Sequence, residues 1–149
     1  IVIDSLTIDF VRLSHDVKEI LGYIFMEDEK KLVYITDTGY INRKYFDKLS
    51  NADCYVIESN HDVEMLMNGR YKYYTKIRIV GDKGHLSNEK SSEFISEVIG
   101  KHTKNVILIH LSEENNTKEL ARNSLESRIH GASNIYISTQ KERTDLITV

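Results

Sequence analysis

The sequence contains no proline and a single cysteine in 149 residues. Average usage would supply proline at about 5%, so its absence reflects compositional bias and carries no fold signal. The lone thiol, Cys54, has no intramolecular partner, which excludes the disulfide-stapled scaffolds of small secreted domains. No apolar run approaches the roughly 20 residues a membrane span needs, and no signal-peptide pattern opens the chain. Neither sign of charge dominates: 20 basic residues face 23 acidic ones, for a formal net charge of −3. That excludes the global basic signature of many nucleic-acid binders, though not a local cationic or metal-centred site. A reducing, cytoplasmic setting without membrane contact is the default. No repeat, low-complexity tract or Gly/Ser linker divides the chain, so residues 1–149 read as one domain or part of one.

What is present suits a packed core, with 40% hydrophobic and 29% charged residues. The chain opens at Ile1, directly in a strand-like alternation, which leads us to expect a fragment of a longer protein. Residues 6–12 alternate apolar and polar as a half-buried strand does. Residues 14–22 read as a loop, and residues 22–35 as a hairpin with a charged turn at 27–30. Asn42 to Leu49 reads as a short helix capped by Asn42. Residues 54–57 and 106–109 are short apolar strands of the type buried on both faces. Helices are expected from His61 to Met67, over Tyr73–Val80, from Asn88 to Gly100, and from Thr117 to His130. The last carries Leu120, Ala121, Leu125 and Ile129 on one face. Strands over 134–138 and 144–148 close the chain. This alternation of strands and helices predicts an α/β fold with a mixed sheet.

The polar residues fall on that outline in a pattern. His15, Asp37, Glu58 and His110 each follow directly or closely on a strand, at the end where loops over α/β sheets gather ligands. Two imidazoles and a carboxylate on one rim suit a borderline divalent metal such as zinc or manganese. A shared Asp could hold two ions, the arrangement that activates water against a phosphoryl group. Taken singly, a histidine at a strand end is more often a surface or hydrogen-bonded residue. Spacing alone offers no HxH, HExxH or CxxC.

The local words add to this. Leu13-Ser14-His15-Asp16, Ile35-Thr36-Asp37-Thr38-Gly39-Tyr40 and Glu58-Ser59-Asn60-His61-Asp62 occur in that order. Asp82-Lys83-Gly84-His85-Leu86-Ser87-Asn88 and His110-Leu111-Ser112-Glu113-Glu114-Asn115-Asn116-Thr117 follow. Together they resemble the C-terminal part of metallo-β-lactamase fold hydrolases. More closely, they resemble the small bacterial YycJ-type (WalJ-type) proteins, regarded as DNA exonucleases. The resemblance runs over nearly the whole chain. It implies the C-terminal half of an αββα sandwich and two divalent metal ions, zinc or manganese, in the complete protein. It implies that His15 binds one ion, Asp37 bridges both and His110 binds the second. His85 would assist the leaving group, as a histidine does in the related tRNA 3′-processing nucleases, and Glu58 and His61 would support the site or touch substrate. The family's upstream HxHxDH ligand motif is missing, since no two of the six histidines lie closer than eight positions.

The resemblance therefore implies a metal-dependent phosphodiesterase acting on DNA, at single-stranded or duplex ends and in the 5′-to-3′ direction. The alternatives are hydrolysis of a small ester, thioester, lactone or cyclic phosphate, and a non-catalytic fragment or interaction module. With half the ligands absent, this chain alone is expected to bind metal weakly or not at all. One sheet face is expected to lack cover and to drive self-association. His102 and His130 read as solvated residues near helix ends, and Cys54 as a core thiol. Arg70, Lys72, Lys76 and Arg78, interleaved with Tyr71, Tyr73 and Tyr74, form the one basic–aromatic stretch. It reads either as a solvated helix face or as a track for a nucleic-acid strand.

Overall fold

Short runs of β-branched and aromatic residues build a sheet whose spatial order follows the chain. The computed structural model describes residues 1–149 except His130, Ala132, Glu142, Arg143 and Asp145. Among the described residues the strands are β1 (Val2–Ile3), β2 (Leu6–Arg12), β3 (Leu21–Glu27), β4 (Lys30–Ile35), β5 (Cys54–Glu58), β6 (Asn105–Ile109) and β7 (Asn134–Ile137). They form one sheet in the order β1 to β7. The first four pair antiparallel, β1–β2 and β3–β4 through two-residue turns and β2–β3 through the longer loop of residues 13–20. The β4–β5, β5–β6 and β6–β7 pairs are parallel, because each needs a helical crossover. The helices are α1 (Phe46–Leu49), α2 (Val63–Asn68), α3 (Tyr73–Val80), α4 (Asn88–Val98) and α5 (Lys118–Glu126). The expected α/β fold with a mixed sheet is what the chain adopts. No helix of the described residues is long and apolar enough to cross a membrane.

Two cross-strand rows form the core. Val33, Tyr55, Val106 and Ile135 are register partners in one row, and Ile35, Ile57, Leu108 and Ile137 in the next. The helices cover this face with Phe94, Ile95 and Val98 of α4 and Ala121 and Leu125 of α5. Each buried aliphatic side chain contributes about 1.5–3 kcal/mol. The Tyr55 hydroxyl accepts from Ala52 N–H and lies 2.9 Å from the Leu49 and Val98 carbonyls, which satisfies its buried polar end. Cys54 is buried, and burial pushes its thiol up to about 11, in keeping with a core residue.

The opposite face differs. Phe10, Tyr23, Tyr34, Val56, Ile107 and Tyr136 form a single row across β2 to β7. Phe10, Tyr23 and Tyr34 are exposed. Among the described residues no helix packs on this row. Of the described C-terminal residues, Thr148 reaches its lower end, where Asn105 Nδ2 donates to the Thr148 carbonyl.

Several boundaries depart from expectation for local reasons. α2 begins at Val63, not His61, because the Asp62 side chain accepts from Met65 N–H and caps the helix. His61 instead bridges to Ser87. α4 and α5 start where Ser87 and Thr117 cap them. α5 stops at Glu126: the Ser127 N–H donates to the Asn123 carbonyl, and the Arg128 and Ile129 N–H groups both close onto the Leu125 carbonyl. The expected end of that helix at His130 lies outside the described residues. The expected strand over 144–148 is absent from its described residues, Thr144 and 146–148, which pair with no strand; Asp145 lies outside them.

Candidate metal centre

The site follows from three neighbouring parallel strands in register. β4, β5 and β6 lie side by side at the ~4.8 Å spacing of a sheet, so residues at their C-terminal ends share one rim. Glu58 ends β5, His110 follows β6, and Asp37 lies two residues beyond β4. Asp37 and His110 both take left-handed backbone, at φ 54° and 60°. For residues other than glycine this conformation costs about 1–3 kcal/mol and persists only where surrounding contacts impose it.

Those contacts are visible. The Thr38 N–H donates to Glu58 Oε2 at 3.0 Å, and Thr38 Oγ1 exchanges hydrogen bonds with the backbone of Ser14. Asn60 Nδ2 donates to the His110 carbonyl at 2.9 Å. His85 enters from the turn after α3, where its N–H donates to the Ile79 carbonyl. This loop and the Asp37 loop pack backbone to backbone. A Cβ on Gly39 would fall 2.1 Å from the Gly81 carbonyl oxygen, so only glycine fits there.

Asp37, Glu58, His85 and His110 each offer a ligand atom, and these atoms all lie within 4.8 Å of one another. Glu58 is fully buried at the centre. Its Oε1 accepts from His85 Nδ1 at 2.6 Å and from His110 Nδ1 at 2.8 Å. Burial opposes its charge, yet hydrogen bonds from His110, His85 and the Thr38 amide outweigh it and hold the carboxyl below its ordinary range. The same bond to Glu58 raises His110, against the burial that lowers it. His110 Nδ1 also lies 3.6 Å from Asp37 Oδ1.

Of the sequence candidates, Asp37, Glu58, His85 and His110 come together. His15 stands beside them, its ring centre 5.0 Å from that of His85, with Nδ1 donating to the Gly84 carbonyl at 2.9 Å. His61 is 1% exposed, and neither ring nitrogen has a hydrogen-bond partner among the described residues. Burial lowers it to about 4, so it is neutral at pH 7. It lines a cavity of about 380 Å³ together with Asn60, Tyr71, His85, His110 and Ser112. Thr38 and Asn60 went unnoticed in the sequence reading. Both stand inside words already singled out, at positions next to or near Asp37 and Glu58. His102 is exposed, as expected.

A family profile described as a beta-lactamase superfamily domain matches residues 1–111. The chain belongs to the beta-lactamase superfamily. Within this superfamily it is 44% identical, over 125 residues, to the exodeoxyribonuclease WalJ of Streptococcus pneumoniae serotype 2 (strain D39 / NCTC 7466). That match covers 84% of this chain and 46% of WalJ. It is 46% identical, over 113 residues, to the exodeoxyribonuclease YycJ of Bacillus anthracis, covering 76% of this chain and 43% of YycJ. The chain thus spans about half the length of the curated relatives it matches. The resemblance to YycJ/WalJ-type proteins is borne out. Among solved structures, the metallo-beta-lactamase fold protein YhfI of Bacillus subtilis superposes with a TM-score of 0.67 at 16% identity, covering 93% of this chain and 48% of YhfI. That likeness shows the fold. Members of this fold hold divalent metal ions, and the donors gathered here suit them.

Proposed function

We propose that the chain is part of a metal-dependent phosphodiesterase that degrades DNA from an end, and that the complete protein is about twice as long, as its relatives are. One observation carries this reading. In His15, His85 and His110 alike, Nδ1 is held by an oxygen acceptor, Gly84 or Glu58, so the free lone pair falls on Nε2. Imidazoles fixed in this way beside the Asp37 carboxylate suit zinc or manganese, because the second hydrogen bond sets the tautomer and raises ligand basicity. Bound ions of this kind polarise a phosphoryl oxygen and neutralise charge developing on it.

The chain's own residues take distinct parts in this proposal. His15 and His110 would each hold an ion, and Asp37 would offer its carboxylate to both. Glu58 orients His85 and His110. When protonated on both nitrogens, His85 gives its Nε2 proton to the departing alcohol, and Glu58 stabilises the imidazolium through Nδ1. Asn60 lines the cavity beside these groups and faces bound substrate, and buried His61 backs the cavity wall and supports the site. The remaining length of the protein covers the Phe10–Tyr136 row and supplies the missing HxHxDH ligands. Alone, this chain has about two ligands per ion and binds metal weakly.

The test is Asp37→Asn in the full-length protein. Asparagine tolerates left-handed backbone, so the metal-free melting temperature should stay within a few degrees, while DNA degradation is abolished. Wild-type turnover by this variant would sink the bridging role. A wild-type protein that hydrolyses p-nitrophenyl esters or lactones but leaves DNA intact would overturn the substrate class.

A further inference from the structure

The cavity of about 380 Å³ beside the site is lined by His85 and His110 but by neither His15 nor Asp37. It opens on the imidazole assigned to the departing alcohol, so whatever is bonded to the departing oxygen extends into it. Its volume lies at the small end of the ~300–1,000 Å³ usual for small-molecule pockets, which suits one nucleoside and not a strand.

The lining fixes the chemistry of that occupant. No lysine or arginine lines the cavity among the described residues, and its two carboxylates are already paired, Glu114 with Arg70 and Glu113 with Lys141. A phosphate finds no free cation here, so the occupant is an uncharged part of the substrate. Three amide side chains line the cavity: Asn60, Asn115 and Gln140. Asn115 is 3% exposed. Asn60 spends its Nδ2 on the His110 carbonyl and Asn115 its Nδ2 on Ser112 Oγ, which leaves the Oδ1 of each to accept. The Gln140 amide makes no hydrogen bond among the described residues. Such amides match the edges of bases, which carry donors and acceptors together. Tyr71 and Leu111 add flat and apolar contact for a base's faces. An acyl chain or a lactone ring in the same place would leave the amides unpaired.

We propose that this cavity seats the terminal nucleoside of a DNA 5′ end, its base held by Asn60, Asn115 and Gln140 and lying against Tyr71. The proposal rests on the phosphodiesterase reading above and names the group that leaves. Hydroxide from water adds to phosphorus, and the P–O3′ bond of the terminal nucleotide breaks with its electron pair on O3′. That oxygen takes the Nε2 proton of His85, and the remaining proton of the water restores His85. The end nucleotide departs with a free 3′-hydroxyl, and the shortened strand keeps the phosphate at its new 5′ end. Attack from a 3′ end would make the strand itself the leaving group, which the cavity is too small to hold.

The experiment uses the full-length protein and two duplex oligonucleotides. One has a 5′-terminal thymidine mismatched with thymine, and the other ends in an abasic deoxyribose at that position. Wild-type kcat/KM should fall at least about ten-fold on the abasic end, through the lost stacking and hydrogen bonds. On the thymidine end, Gln140→Ala should lower kcat/KM about five-fold and Tyr71→Ala about ten-fold, while Tyr71→Phe keeps the ring and stays near wild type. On the abasic end the losses in both alanine variants should shrink below about two-fold, because the base they hold is already gone. A wild type that cleaves both ends equally well would overturn the nucleoside seat and leave the nuclease reading intact. So would alanine variants that match wild type on the thymidine end. Equal losses on the two ends would overturn it as well, by marking damage to the site. A wild-type protein that spares DNA altogether would overturn both readings.

Discussion

Replacing His61 with phenylalanine should flatten the acid limb of this chain's stability curve. The imidazole is 1% exposed and both its nitrogens lack partners, so protonating it places an unpaired charge in the interior. Burial lowers its pKa from 6.5 to about 4. The unfolded chain therefore binds a proton here more readily than the folded one. The resulting stability is fully present above pH 6.5 and is lost as pH falls towards 4. A shift of about 2.5 units corresponds to about 3 kcal/mol. Two neighbours titrate as well. Glu58, held below its ordinary value, loses its contribution as pH falls through that lowered pKa. His110, raised by Glu58, contributes stability that is complete below pH 6.5 and is lost as pH rises through the raised pKa. Both persist in the variant, so the difference between the two proteins isolates His61. Urea midpoints of the metal-free chains, measured from pH 8 to pH 4, should diverge by about 3 kcal/mol at the acid end. At pH 7 the variant should be as stable as wild type or more so, since two unpartnered buried polar atoms are gone. Parallel curves across the whole range would refute the buried, neutral imidazole.

Glu58→Ala should destabilise the metal-free chain by about 3–5 kcal/mol in the same assay, because it leaves two imidazoles and the Thr38 amide facing an emptied site. Zinc titration of the full-length Glu58→Gln variant should show affinity reduced about 10–100-fold, through loosened histidines. Gly39→Ala should cost several kcal/mol in thermal melts, since its Cβ would lie 2.1 Å from the Gly81 carbonyl oxygen; a loss under about 1 kcal/mol would mean the two loops can part. Light scattering of this chain alone should show association through the Phe10–Tyr136 row, which a Phe10→Lys/Tyr34→Lys variant weakens; a monodisperse wild-type monomer would count against it.

The strands that carry the site were legible because their signals are local. Val106 to Ile109 is an unbroken apolar run, and Leu6 to Arg12 alternates. Asp37, Glu58 and His110 stand at or just past the ends of β4, β5 and β6, which is sufficient to put them on one rim once those strands lie parallel. Other features depend on distant partners and left little local trace. The Glu58–His85 contact joins residues 27 positions apart through a turn whose geometry is set by Gly84 and the end of α3. Thr38 matters through its backbone amide, which any residue but proline possesses. α2 lost its first turn because Asp62 competes with His61 for the start of the helix, and capping outweighs periodicity there. At 144–148 Leu146 and Ile147 stand side by side with no alternation, and the described residues of that segment pair with no strand.

One oxygen, Glu58 Oε1, serves both His85 and His110, and this sharing makes the two rings compete. An electrophile drawing on Nε2 of His110 makes the Nδ1 proton of that ring more acidic, and its bond to Oε1 tightens. The carboxylate then has less electron density to lend to the Nδ1–H of His85, and that hydrogen bond slackens. Loading one imidazole thus loosens the hold on the other, through a single atom and without any movement of the backbone.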